Sequence, residues 1–364
     1  MSARIEITRE ALPPLEQIGA EWRALEAQAG RGFFRSWAWI GTWLATLPAE
    51  VTPFLLRAHL GNETIGLALG VEGGTRRTVL PARTLSLNAT GIADLDTIYV
   101  EHNGFLCAAA DEKTILTELT VWFERDAVGL DALSLPGVAE PIVAGRLLEE
   151  RIDEPGFITD LTPIAASNGD VGTVLSSNAR QQLRRIWRGY EQGGALTIRE
   201  AGDVAEALVF FAALKLLHVA SWERRHKRHA FAVPAFERFH RALIEREFKN
   251  GKIQLLRIAA GAEAIGYLYN FRHGDTVYAY QSGFDDGDRK LSPGVASHAM
   301  ALRHNALQGV SRYDFLAGSN RLKQSFATEQ YVLCWQVLRR SRFDHRLKAA
   351  MRRLKRRIAR VPKD

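Results

Sequence analysis

Two stretches 200 residues apart follow one pattern with no gap in either. "FLLRAHLGNETIGLALGVEGGTRRTVL" (Phe54 to Leu80), set over "QLLRIAAGAEAIGYLYNFRHGDTVYAY" (Gln254 to Tyr280), agrees at eight of 27 positions: Leu55, Leu56, Arg57, Gly61, Glu63, Ile65, Gly66 and Gly74 meet their counterparts. Each stretch has the alternation of two strands joined by a Gly-containing turn. An ungapped match that keeps the turn glycines and the Ile-Gly pair points to an internal duplication. The chain is then two copies of one unit, and its 364 residues give each copy room for a core.

The surroundings of the two hairpins repeat as well. Each is followed by a helical stretch ("DEKTILTELTVWFER"; "GVASHAMALRHNAL") and a strand ending in Leu-x-Gly ("GLDALSLPG"; "GVSRYDFLAG"). The expected division is residues 1–165 for the first copy, 166–338 for the second and 339–364 for a tail. Asp153 to Asp170 has linker composition. The first copy opens with a helix, "PLEQIGAEWRALEAQ", and an aromatic segment in which Phe33, Trp37, Ile40 and Leu44 recur at helical spacing, as a core face does. The second carries more helix before its hairpin: "ARQQLRRIWRGY" behind the caps Ser176, Ser177 and Asn178, then "VAEALVFFAALKLLHVA" and "PAFERFHRALIEREF", both expected to be amphipathic.

Charge is unevenly placed. The net charge is +7 for the whole chain, +10 for Arg339 to Asp364 with its twelve Lys or Arg against two Asp, and therefore −3 for the rest. A broadly basic face for double-stranded DNA is excluded. In the tail, Phe343, Leu347, Met351, Leu354 and Ile358 recur at helical spacing among the basic residues, the pattern of a basic amphipathic helix. An anionic membrane, the protein itself and RNA all remain open as its partner. No apolar run of about eighteen residues is present, and "MSARIEITREALPP" lacks the basic end and apolar core of a secretory signal. The expectation is a cytoplasmic protein, peripheral to the inner face of the membrane if the tail binds there. Cys107 and Cys334 lie in apolar surroundings, as reduced buried thiols do.

Chemistry-bearing residues gather late in the second copy. In "QSGFDDGDRKLSPGVASHAMALRHNAL" a strand runs through a polar loop into a helix opening at Ser292-Pro293-Gly294. Proline in the first turn behind a Ser cap leaves backbone N–H groups free, and the helix dipole favours an anion there. Ser292, Gly294 and Val295, with Lys290 adding charge, are the expected anion site. The first copy, "TLSLNATGIADLDTIYVEHNGFL", has no such helix start. Further on, "DFLAGSNRLKQS" puts Lys323 just past a strand end. It is either a solvated charge or a cation reaching back into a site. Arg180, Arg184 and Arg188 share a helix face that could grip a phosphate or simply be solvated, and Trp222 precedes the basic run "ERRHKRH". His226 and His229 lack the carboxylate or cysteine company of a metal site, and His298 and His304 are six apart on a helix and point different ways, so no metal is expected.

The strand–loop–helix–strand order, and more narrowly "SSNARQQLRR", "SGFDDGDRKLSPG" and "YDFLAGSNRLKQS", resembles the CelD-like acyltransferases of exopolysaccharide synthesis within the GNAT superfamily. It is also similar to the Fem peptidyltransferases, which carry two GNAT-like domains in tandem. The resemblance implies an α/β (α+β) chain of two tandem GNAT-like domains, each a mixed, mostly antiparallel sheet flanked by helices. It implies transfer of an acyl group, acetyl in the simplest case, from acyl-CoA to an amine or hydroxyl of a small molecule or an envelope or exopolysaccharide precursor. The alternatives are an aminoacyl-tRNA-dependent Fem-like transferase and a non-catalytic scaffold of a polysaccharide-synthesis complex. Lys323 would face the oxyanion, with Asp314 orienting it or taking the acceptor's proton. Arg180, Arg184, Trp222, Tyr280 and Gln281 would contact substrate, and Gly283 would let the strands splay. One departure stands out: Lys290 to Gly294 supplies a single glycine where ordinary GNAT enzymes have a glycine-rich pyrophosphate signature. Superposing the Leu-x-Gly strand ends puts Ile142 at the place of Lys323, so only the second copy is expected to be active.

Overall fold

The computed structural model describes residues 4–30, 32–75, 82–139, 141–142, 147–285, 287 and 291–340. The first copy contains β1 (Ile5–Ala11), α1 (Leu15–Ala29), α2 (Trp37–Thr46), β2 (Phe54–Leu60), β3 (Glu63–Thr75), β4 (Ala82–Leu87), β5 (Leu106–Cys107), α3 (Glu112–Arg125) and β6 (Ala132–Val138). Next come β7 (Leu148–Asp160) and α4 (Thr162–Ala166). The second copy has α5 (Ser177–Glu191), β8 (Leu196–Glu200), α6 (Val204–Glu223), α7 (Pro234–Glu247), β9 (Ile253–Ala260), β10 (Glu263–His273), β11 (Thr276–Phe284), α8 (Pro293–Leu307), β12 (Arg312–Ala317), α9 (Arg321–Phe326) and β13 (Glu329–Arg339).

The class is mixed α/β, with one continuous, mostly antiparallel sheet ordered β1-β2-β3-β4-β6-β13-β7-β12-β11-β10-β9-β8 and β5 on the side of β3. The two halves mirror each other. Each has a hairpin turning at a left-handed glycine, Gly61 (φ +62°) or Gly261 (φ +59°). Each has one parallel pair, β4 with β6 and β11 with β12. The matching Ile-Gly pair also has a physical cause. A Cβ on Gly66 would stand 3.1 Å from Ile115 of α3, and one on Gly266 2.7 Å from Ser297 of α8, so in both copies the helix presses on the strand there. Gly74 is different: it pairs with Arg83 inside β3, whereas Gly274 turns the chain at φ +58°, so this identity is not a shared turn.

The stretch of linker composition holds a strand. β7 pairs with β12 on one side and with the whole of β13 on the other, and β13 in turn pairs with β6. Each copy thus completes its sheet beside a strand from the other half of the chain. The first half of β7, "LEERIDE", is largely exposed on both faces and held through its backbone, so its composition gives no apolar alternation. A shared core reinforces the junction. Phe33 stacks on Phe271 at 4.3 Å, Trp39 meets Phe239 edge-on at 4.8 Å, and α2 lies against α7. The aromatic segment is therefore core, although its helix starts only at Trp37, where Ser36 caps it. Both cysteines are buried, and neither forms a disulfide.

Candidate functional site

β11 and β12 pair only over Thr276–Tyr278 and Arg312–Asp314. Beyond this, β11 stays with β10 while Ala317 pairs across to Gly156 of β7. Two parallel strands that part in this way leave a wedge of backbone between them. A cavity of ≈ 250 Å³ fills that wedge, lined by Tyr280, Gln281, Ser282, His298, Leu316, Ala317 and Lys323, and also by Tyr99 and Glu101 of the first copy. The first copy has the same device: β4 and β6 pair over three residues each, beside a cavity of ≈ 310 Å³. Ile142, which aligns with Lys323 by the Leu-x-Gly ends, does not line that cavity: it is buried in the first copy's core, and its backbone is held by Gln336.

Lys323 reaches back into the wedge. Asn320 caps α9 by accepting the Lys323 N–H at 2.9 Å, which turns the side chain toward the end of β12. Its Nζ donates to Ala317 O at 2.6 Å and Leu316 O at 3.2 Å, so an ammonium with three N–H bonds keeps one for the cavity. Burial lowers its pKa, opposed by the charges of Glu101 and Asp314. The carbonyls are aimed by an unusual turn, with Leu316 at φ +62°. Asp314, 2 % exposed, holds that turn: its Oδ1 accepts from Leu316 N at 2.7 Å and from Tyr331 Oη at 2.8 Å, and its Oδ2 lies 3.1 Å from His102 Nε2. It lies beneath the cavity and does not line it.

Glu101 escapes a reading of the sequence. It follows a short 3-10 turn in the first copy, in a stretch where Tyr99 and His102 both have positive φ. Its Oε2 accepts from Ala317 N at 2.6 Å. Burial pushes its carboxyl up to about 7, only partly countered by that N–H and by His102 and Lys323. One residue, Ala317, therefore holds a carboxyl by its N–H and an ammonium by its C=O. No motif marks Glu101, because its role exists only once the two copies face each other.

On the opposite wall the Ser282 N–H is held by the side-chain Oε1 of Gln281 at 3.0 Å, and the Ser282 carbonyl accepts from His218 Nδ1 at 3.0 Å. Tyr280 lines the cavity with its ring, its hydroxyl being engaged by Ile98 O and by His240 Nε2. Gly283 serves packing and not the splay, which starts at Tyr278: a Cβ there would lie 2.3 Å from the Leu214 carbonyl of α6. Gly283→Ala should therefore destabilise the fold by about 1–3 kcal/mol, readable as a lower denaturation midpoint with an unchanged slope. An unaltered midpoint would show that α6 can withdraw.

The helix start differs in detail from expectation. Ser292 is left-handed (φ +46°) and its side chain caps nothing, so Pro293 alone opens α8. Val295 N is already bonded to Ser292 O. Gly294 admits Phe284 and Leu322, both lining the cavity, which a Cβ would approach to 3.2 and 3.3 Å. This places the helix start against the wedge. Lys290 and residues 341–364, hence the amphipathic tail, lie outside the described residues. Arg180, Arg184 and Trp222 are not among the lining residues. Arg180 donates to Leu175 O, Arg184 is exposed, and Trp222 stacks on His218.

A family model described as an acetyltransferase (GNAT) domain matches residues 177–324, the segment that builds most of this wedge. Among solved structures the chain is similar to FemX, at 10% identity over 90% of this chain and 96% of that one, with a TM-score of 0.55. It is also similar to the C-terminal domain of a putative lysylphosphatidylglycerol synthetase from Agrobacterium fabrum (10% identity, 93% and 95% covered, TM-score 0.52). A third likeness is to L-PGS from Bacillus licheniformis (10%, 97% and 99%, TM-score 0.50). At such identities these likenesses show the fold. No curated protein matches. Residues 177–324 thus match a GNAT acetyltransferase domain, and the duplicated sheet sets a second unit of the same strand plan beside it.

Proposed function

We propose that the chain is an acyltransferase whose active site is the β11–β12 wedge, moving an acyl group from acyl-CoA to an amine or hydroxyl. The observation that carries the reading is the pair held by Ala317: a carboxyl titrating near neutrality and an ammonium, on the two sides of one residue. Acyl transfer needs both, a base for the acceptor's proton and a positive group for the oxygen that gains charge. Glu101 takes the proton as the acceptor attacks the thioester carbonyl. Lys323 faces the oxyanion of the tetrahedral intermediate, whose collapse breaks the C–S bond and releases the CoA thiolate, which takes up the proton held by Glu101. Asp314 keeps Lys323 in place through the Leu316 turn. The donor's fit is supported by the Ser282 N–H, which a donor amide carbonyl can claim by displacing only the Gln281 side chain. Phosphates would lie toward the α8 start, with Ser292, Gly294, Val295 and Lys290.

On the acceptor side, Tyr280 and Gln281 are proposed contacts within the cavity, while Arg180, Arg184 and Trp222, which do not line it, would meet only a part of the acceptor extending beyond it. The CelD-like resemblance favours an envelope or exopolysaccharide precursor. Its setting would be the cytoplasm, with the 339–364 tail on the anionic face of a membrane. Calorimetric or thermal-shift titration with acetyl-CoA, longer acyl-CoAs and charged tRNA tests the donor. Saturating acyl-CoA, at about 100 times its Kd, should add about 2.7 kcal/mol of stability. Stabilisation by charged tRNA alone, falling steeply with salt, would instead indicate a Fem-type transferase. No response to any of them would leave the scaffold reading.

A further inference from the structure

α6 is the one helix, among the described residues, that is long and apolar enough to cross a membrane. Its inner face is packed: Phe210, Phe211, Leu214 and His218 are buried, and the helix lies on β9, β10, β11 and α7. An amphipathic helix would turn polar residues outward, and this one does not. Its outer stripe is Ala205, Val209, Ala212, Leu216 and Ala220, at helical spacing and all exposed. Val209 is 63 % and Leu216 72 % exposed, among the most exposed large apolar side chains described. Lys215, beside the stripe, is drawn away into an ion pair with Glu237 of α7 at 2.6 Å.

The stripe runs into charge. Arg224 stands four residues after Ala220, and Arg224, Arg225, Lys227 and Arg228 follow Glu223 in an exposed turn. Six residues after Arg224, Ala230 lines the cavity, and His218 of the same helix holds the Ser282 carbonyl. An apolar ridge ending in a basic cluster is complementary to a surface with anionic headgroups over hydrocarbon. Nucleic acid would use the charges but leave Val209 and Leu216 in water, and the nearby Trp222 is already stacked on His218.

We infer that the outer face of α6 and the turn at 224–228 form a peripheral contact with an anionic lipid bilayer, set beside the mouth of the wedge. Val209 and Leu216 enter the headgroup boundary and Arg224, Arg225 and Lys227 meet lipid phosphates. The contact would bring the cavity rim to the lipid surface, where a lipid-linked acceptor presents its head. It stands apart from the acyl-transfer reading and from the tail.

The test is co-sedimentation of the full chain with phosphatidylcholine vesicles, with and without phosphatidylglycerol. Binding should need the anionic lipid. Val209→Glu with Leu216→Glu should cut the partition by at least about tenfold. Each of Arg224→Ser and Lys227→Ser should cut it about fivefold at low salt. Circular dichroism and turnover on a soluble acceptor should stay as in the wild type, because these residues touch neither core nor cavity. Undiminished vesicle binding by the double Glu variant would overturn the contact, leaving the tail as the anchor. So would a dimer that the same variant dissolves, since a second copy would then cover the stripe, or RNA binding that Arg224→Ser abolishes while vesicles are ignored.

Discussion

Glu101→Gln should lower kcat/KM by about 10²- to 10⁴-fold and abolish its rise with pH. The wild type should climb with pH through about 7, because the carboxyl is held protonated up to that point by burial and works only once ionised. The direction for stability is the opposite. With a folded-state value raised from 4.5 to about 7, the proton on Glu101 contributes stability that is fully present below pH 4.5 and is lost as pH rises through about 7. Glutamine resembles the protonated side chain in size and can still accept the Ala317 N–H, so the variant should fold normally and lose that pH dependence. A variant with near wild-type turnover and the same inflection would place the base elsewhere.

Lys323→Met should reduce kcat by about 10²-fold with little change in KM, as expected when a group acts on charge present only in the transition state. Methionine keeps the apolar stem and removes the ammonium. The cost to folding is small, because the Leu316 and Ala317 carbonyls lose a donor beside a cavity that water can enter. A rise in KM at constant kcat would make Lys323 a binding residue. Unchanged kinetics would remove it from the chemistry.

The sequence made the architecture legible because duplication leaves a pattern that local chemistry keeps in place: left-handed turns at Gly61 and Gly261, and helices pressing on Gly66 and Gly266. The place of Lys323 just past a strand end was legible, but whether it turns back into the wedge was open until the Leu316 turn was seen. β7 was hidden, since a strand solvated on both faces over half its length carries no alternation. Glu101 was hidden for a deeper reason. It lies over 200 residues from Ala317, and nothing near "YVEHNG" records the burial that raises its pKa or the N–H it meets. His102 and Tyr331 share that fate, joining Asp314 from two parts of the chain. One glycine misled in the other direction: Gly283 was expected to let the strands splay, and packing against Leu214 accounts for it.

The central claim is that a carbonyl bound in the β11–β12 wedge is polarised by the Lys323 ammonium. The carbonyl ¹³C resonance of a labelled acyl-CoA bound to the full chain reports this directly. It should move downfield on binding to the wild type and return toward its free position in Lys323→Met. A bound resonance that does not move, or that moves equally without the ammonium, would contradict the account.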